Sequence, residues 1–178
     1  MKQLILYTAA SLDGFLARPD GDIGWLHDPA YTLPGEDYGY EDLNNRIDTV
    51  LMGYKTYAQI LGFDQTPSHE GKRTYVFTRS NDRMDRPEVT FISENVVDFV
   101  RQLKVEKGKD IWLIGGGEIN ALLLDHDLID QIILSYIPIF LGEGIPLFNG
   151  KTREAKFDLT SCHSYESGLT QLILSRKF

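Results

Sequence analysis

The chain has 178 residues and carries 18 Lys and Arg against 26 Asp and Glu, a formal charge of −8. That length suits one domain burying about two thirds of its unfolded surface, and 42% apolar with 25% charged residues excludes a disordered or collagen-like chain. The acidic balance argues against general nucleic-acid binding, and Cys162, the only cysteine, leaves no intramolecular disulfide and no thiolate-based zinc site.

A short apolar run, residues 4–9, is the first predicted strand; it is too short for a signal peptide, so the cytoplasm is the expected compartment. Residues 11–37 contain Gly14, Pro19, Gly21, Gly24, Pro29, Pro34 and Gly35 and little that repeats as helix or strand, which predicts a long functional loop. A helix over 40–46, a strand over 49–52 and a helix over 55–61 follow, then strands over 74–78 and 89–92. Ser93 is the expected N-cap of the clearest helix, with Val96, Phe99, Val100 and Leu103 on one face, Lys104 and Lys107 in the last turn and Gly108 ending it. A strand over 111–114, a helix over 118–125 and a strand over 131–137 come next. The apolar stretch 129–148 is broken by Asp130, Gln131, Pro138, Glu143 and Pro146 and cannot span a bilayer; its part 141–148 is expected to pack down.

The end of the chain changes period. Residues 157–166 alternate, with Phe157, Leu159, Ser161, His163 and Tyr165 on one face and Cys162 as inert packing. Ser167-Gly168 reads as a two-residue turn, and 169–178 returns. Because most other strands are continuous apolar runs, they are expected to be buried on both faces. The expected fold is therefore α/β: one domain over residues 1–178, a mainly parallel central sheet closed by a C-terminal antiparallel hairpin, and helices on both faces.

Three strand ends carry candidate chemistry. Between Ile111 and Asn120 an apolar strand runs into Gly115-Gly116-Gly117 and then a helix, an arrangement that brings backbone N–H groups close to an anion such as pyrophosphate. It is not the Rossmann fingerprint, since Asn120 stands where the third glycine belongs. The plainer alternative is a tight turn that needs glycine for packing alone. At Met52-Gly53-Tyr54-Lys55-Thr56 a second strand enters a helix with an ammonium and a hydroxyl available, and a third strand ends in Thr78-Arg79-Ser80, where the guanidinium offers a planar fork for a phosphate monoester. Ligands of open parallel sheets bind at the carboxyl ends of strands, so the three junctions together suggest one elongated anionic ligand.

These three junctions resemble the cofactor-binding segments of the dihydrofolate reductase superfamily. With Ser11-Leu-Asp-Gly-Phe-Leu-Ala17 added, the chain is more similar still to the reductase domain of the riboflavin-pathway deaminase-reductase and its stand-alone relatives. The resemblance implies a dihydrofolate reductase-like three-layer fold with NADPH as cofactor. It matches Ala9 and Leu16 to the nicotinamide, Gly53, Tyr54, Lys55 and Thr56 to the pyrophosphate and adenosine side, and Thr78 and Arg79 to the 2′-phosphate pocket, with Ser80 in the same cofactor-binding junction. Gly115, Gly116, Gly117, Glu118 and Ile119 match the pyrophosphate loop, with a cis Gly115–Gly116 peptide. Trp25 falls in the loop that closes over the nicotinamide, and Ser135 at a polar substrate-side position.

The departures from that pattern bear on the substrate. The pterin-binding carboxylate of the folate enzymes has no aligned counterpart, because Ala30 occupies its register; Asp28 and Asp37 lie nearby. No deaminase motif is present. Asp13 is then the candidate catalytic acid, with a simple Asp13-Gly14 turn as the equal alternative. Tyr7, Tyr38, Tyr40 and Tyr136 could stack on a planar ring or serve as packing, and His27, His69, His126 and His163 show no ligand spacing, so no metal is assigned. The expected activity is hydride transfer from NADPH to a small planar heterocycle or a ring-opened ribosylamino-pyrimidine; folate reduction and a non-catalytic NADPH-binding protein are the alternatives. A homodimer through 137–148 and the final hairpin is the expected assembly.

Overall fold

The computed structural model describes residues 1–62, 71–83, 86, 87 and 89–177; His69 and Phe178, the end of the expected last strand, lie outside them. In chain order the elements are β1 (Leu4–Ser11), β2 (Phe15–Ala17), a 3-10 turn at Gly24–His27, α1 (Tyr40–Arg46), β3 (Ile47–Gly53), α2 (Tyr54–Gly62), β4 (Arg73–Phe77), β5 (Thr90–Ile92), α3 (Val96–Val105), β6 (Asp110–Gly115), α4 (Gly117–Asp125), β7 (Gln131–Ile137), β8 (Ile145–Pro146), β9 (Phe157–Ser164) and β10 (Thr170–Arg176). Eight strands form one sheet in the order β5-β4-β3-β6-β1-β7-β10-β9. Neighbours from β5 to β7 are parallel, and β10 runs antiparallel to both β7 and β9.

The unbroken apolar runs follow from this layering. Leu4, Leu6, Leu51, Leu113, Ile132 and Leu134 pack with Val100 and Leu103 of α3 and Leu123 and Leu124 of α4. The intervening Ile5, Val50, Met52, Trp112 and Ile133 pack with Leu43 of α1 and Tyr57 of α2. A strand covered on both faces has no position left for an alternating polar residue.

Several expected details are corrected. The loop over 11–37 is not free of regular structure: β2 pairs with β8 as a separate two-stranded sheet, and the 3-10 turn buries Trp25. Helix α3 is preceded by Asn95 in the left-handed region rather than capped by Ser93, and it ends at Val105, three residues before Gly108. The one-face reading of β9 fails because its register against β10 slips at Thr160, so Leu159 faces Leu174 while Ser161 faces Ile173, on opposite sides of the sheet. Cys162 is exposed on this edge strand instead of packed. The hairpin turn centres on Glu166-Ser167, with Gly168 N–H donating to the Tyr165 carbonyl and Gly168 at φ +83°. Of the segment expected to pack down, Leu147 is buried, while Phe140 just before it is 71% exposed.

An ionic network closes the opposite rim from the glycine junctions. Lys2, 3% exposed, donates to Asp48 at 2.7 Å, and Asp48 also accepts from the Thr49 hydroxyl and the Lys109 N–H. Gly108 is required beside it: its φ is +141°, and an added Cβ would lie 2.2 Å from Asp48 Oδ2 and 2.9 Å from Lys2 Nζ. Burial pulls the Asp48 carboxyl upward, but Lys2, Thr49 and Lys109 outweigh it and hold the group below its ordinary range. On acidification the unfolded chain therefore takes up this proton first. The stabilisation is complete above the ordinary carboxylate pKa of about 3.9 and is lost as pH falls through the lower folded value. Urea melts between pH 5 and 2.5 should show stability falling below about pH 4, with a shallower fall in Asp48→Asn; parallel pH profiles for the two proteins would refute this assignment.

Candidate active site

The three glycine or cation junctions fall on adjacent strands, because β4, β3 and β6 are consecutive in the sheet and their ends are level: Gly53 pairs with Phe77 and Met52 with Gly115. Thr78, Arg79 and Ser80 leave β4; the Thr78 N–H donates to the Ile92 carbonyl, and its hydroxyl oxygen accepts from the Ser80 N–H at 3.1 Å. Gly53, Tyr54, Lys55 and Thr56 lead into α2, and Gly115, Gly116, Gly117, Glu118 and Ile119 into α4. The segments touch: a Cβ on Gly53 would meet Ile119 Cγ1 at 3.3 Å, and one on Gly116 would meet Thr56 Oγ1 at 3.3 Å. The Gly115–Gly116 peptide is cis. Arg79 and Lys55 both reach the Glu118 carboxylate, at 2.5 and 3.5 Å. Tyr54, the first residue of α2, has its ring 5.9 Å from that of Tyr57 and the Arg83 guanidinium 3.5 Å above its centroid.

A strap over residues 141–149 holds the glycine loop from outside. Asn149 N–H donates to the Gly117 carbonyl at 2.9 Å, and the Asn120 amide donates to the Leu147 carbonyl at 2.9 Å. Asn120 is fully buried, and its Oδ1 has no hydrogen-bond partner among the described residues while lying beside Gly115. Leu16, on β2, is half-buried against the core below this strap. Asp13 anchors the far end of the strap. Its carboxylate accepts from the Ser11 hydroxyl at 2.6 Å and from the N–H groups of Gly142 and Leu141 at 2.7 and 3.2 Å. Burial raises its pKa, yet these three donors prevail and hold it below the ordinary carboxylate range. With these three donors Asp13 clamps the strap to the start of the loop that follows β1.

The other expected residues gather one strand further on. Ala9 of β1 pairs with Ser135 of β7, which pairs with Gln171 of β10, so the three share one sheet face with Tyr7. Ser135 and Gln171 are 7% and 4% exposed. Gln171 Nε2 donates to the Ser135 hydroxyl at 3.1 Å and to the Tyr38 carbonyl at 2.8 Å, and the Tyr7 hydroxyl donates to the same carbonyl at 3.3 Å. Burial first, and the Asp37 carboxylate next, push the Tyr7 phenol up to about 12, so it keeps its proton. Trp25 is 4% exposed and packs with Ile137 and Leu169 over this face. Tyr38 stacks edge-on against Tyr165 at 4.9 Å, and Tyr40 against Trp112 at 5.7 Å. Gln171 escaped the sequence reading, although a lone amide inside Leu169-Thr-Gln-Leu-Ile-Leu174 was its signal. Among the described residues, no three His, Cys, Asp or Glu side chains gather as a metal site, and no helix is long and apolar enough to cross a membrane.

A mostly parallel sheet closed by an antiparallel pair, with glycine and cation junctions on one rim, is the architecture of the RibD reductase fold. Residues 2–171 match the RibD C-terminal domain, and the chain belongs to that family. It is 41% identical over 159 residues to the uncharacterized protein YwjB of Bacillus subtilis strain 168, covering 89% of each chain, and 32% identical over 184 residues to YyaP of the same organism, covering 97% and 94%. A crystal structure of a Shewanella sp. PV-4 protein assigned to riboflavin biosynthesis superposes with a TM-score of 0.85 at 30% identity, over 99% of both chains. The fold also matches the Thermotoga maritima diaminohydroxyphosphoribosylaminopyrimidine deaminase/5-amino-6-(5-phosphoribosylamino)uracil reductase at a TM-score of 0.73 and 17% identity, over 99% of this chain and 57% of that one. Family and neighbours support a reductase-like role.

Proposed function

We propose that this chain is an NADPH-dependent reductase acting on a planar heterocycle or a ring-opened ribosylamino-pyrimidine. The observation that carries the reading is the level alignment of three junctions on β4, β3 and β6, with Arg79 and Lys55 converging at one end. The residues fit such a ligand: Gly53 and Gly116 leave the close approach a pyrophosphate needs, and Arg79 supplies the fork a 2′-phosphate favours. When bound, the dinucleotide supplies the hydride; the chain supplies binding, orientation and exclusion of water.

On the substrate side, Ser135 and Gln171 offer a hydroxyl and an amide in a nearly dry patch, suited to the alternating donors and acceptors of a pyrimidine edge. Tyr7 Oη, protonated throughout the physiological range, gives its one proton to the Tyr38 carbonyl and leaves its oxygen as an acceptor on the same face. Trp25 and the tyrosines around it keep water from that face. Asp13 serves in this reading as a positioning residue that fixes the strap.

Arg79→Met should weaken NADPH binding by about 10- to 100-fold, the worth of a charge-assisted pair, and leave NADH within about threefold. Titration followed by tryptophan quenching reads both. Absence of NADPH binding at millimolar concentration in the parent protein would end the nucleotide reading. A second reading, a nucleotide-binding protein without turnover, is favoured by the engagement of Asp13 in the clamp; NADPH oxidation with an aminopyrimidine substrate would overturn it.

A further inference from the structure

The cation pair on the nucleotide rim already has an anion. Glu118, the second residue of α4, extends its carboxylate between two other junctions: Oε2 accepts from Arg79 Nη2 at 2.5 Å, and Oε1 lies 3.5 Å from Lys55 Nζ. The three charges therefore come from three separate strand ends and meet at one point. Nothing about folding demands this meeting. The Arg79 and Lys55 side chains are 88% exposed and the Glu118 side chain 42%, so each would be well solvated alone. A phosphate monoester would need the same guanidinium fork and the same ammonium that the carboxylate now uses. The two anions cannot share the pair without repulsion.

We propose that Glu118 is a specificity-determining residue: an internal anion that occupies the Arg79–Lys55 pair and must be displaced by a ribose 2′-phosphate but not by a ribose 2′-hydroxyl. The proposal rests on the nucleotide reading above. A hydroxyl can donate to the carboxylate while the ion pairs stay in place, as acidic residues do for the ribose of NAD in other nucleotide sites. Glu118 thus lowers the affinity for NADPH without lowering that for NADH, and narrows the gap between them. Arg79 alone would make the rim more selective than it is.

The test uses the full chain and calorimetric titration, with no need of turnover. Wild type, Glu118→Gln, Arg79→Met and the double variant are each titrated with NADPH, NADH, adenosine 2′,5′-bisphosphate and ADP, after circular dichroism confirms equal folding. Glu118→Gln should tighten NADPH and the bisphosphate by about 3- to 5-fold, the upper part of the worth of an exposed ion pair, and change NADH and ADP by less than about twofold. In the Arg79→Met background the tightening should vanish. Unchanged or weaker NADPH binding in Glu118→Gln, with wild type still binding NADPH, overturns the proposal and leaves the nucleotide reading intact. Equal tightening of all four ligands overturns it too, since a general charge effect would then suffice. If wild type and Glu118→Gln both fail to bind any of them, the nucleotide reading falls and this inference with it.

Discussion

Gly117→Ala should cost about 3 kcal/mol of stability, the upper part of the range for an overpacked site, and weaken NADPH binding by at least about tenfold. The reason is steric, not conformational. An added Cβ would lie 2.2 Å from the Pro146 carbonyl oxygen and 3.1 Å from Asn149 Cβ. The strap cannot retreat to make room, because it is held at several points: Asn149 N–H on the Gly117 carbonyl, Leu147 on the Asn120 amide, β8 on β2, and Asp13 on Leu141 and Gly142. The start of α4 must move instead, and Gly116 and Glu118 move with it. Chemical denaturation and an NADPH titration check both halves. Gly62→Ala, with nothing among the described residues within 4 Å of the added carbon, is the control and should stay within about 0.5 kcal/mol of wild type. A Gly117→Ala protein as stable as this control would show that the strap yields, and the packing argument would be lost.

Lys104→Met should destabilise by about 3–5 kcal/mol, the usual penalty for stripping one partner from a buried ion pair. Its ammonium donates to Asp130 Oδ2 at 2.6 Å and to the Leu128 carbonyl at 2.8 Å, with the two side chains only 7% and 14% exposed. Asp130 Oδ2 also accepts from the Leu4 N–H, so the pair joins α3 to the entries of β1 and β7. Without Lys104 the carboxylate keeps its desolvation cost and loses its counter-charge. For a chain of this size the loss corresponds to roughly 10 °C in melting temperature. The double variant Lys104→Met, Asp130→Asn should recover part of it, since the orphaned charge is then gone. A Lys104→Met melting point within a degree or two of wild type would disprove that the pair is energetically important.

What could be read from the sequence was what short-range pattern encodes. The strand over 131–137 emerges as expected because a mostly apolar run leaves a local trace, and the Val96, Phe99, Val100 and Leu103 face of α3 because a 3.6-residue period does. Phe15–Ala17 left none: a three-residue strand is defined by its partner at Ile145–Pro146, far along the chain. The slip at Thr160 is likewise set by β10 and not by the alternation of β9 itself. Ser93 and Asn95 both suit a helix entry, and local chemistry does not choose between them.

The candidate site divides in the same way. The three junctions were legible because glycines and cations directly follow apolar strands, and parallel strand ends share a rim. Their mutual contacts were not. That Glu118 reaches Arg79, that Gln171 meets Ser135, and that Asp13 spends its carboxylate on Gly142 are all pairings between distant segments. For Asp13 the residue type offers a carboxylate, and only the fold shows that Ser11, Leu141 and Gly142 donate to it.

The position of β1 carries a consequence for how this molecule comes into being. It lies between β6 and β7, pairing Leu4–Leu6 with Ile111–Leu113 on one side and Ile5–Ser11 with Gln131–Ile137 on the other. An early strand whose two neighbours are both synthesised far later must wait, unpaired and apolar, for seconds at ordinary rates of translation. Pairing it is a closure over most of the domain, an entropic toll that slows folding and cannot be met in instalments. The central sheet is therefore complete only once β7 is present, and the domain acquires its structure late and as a unit.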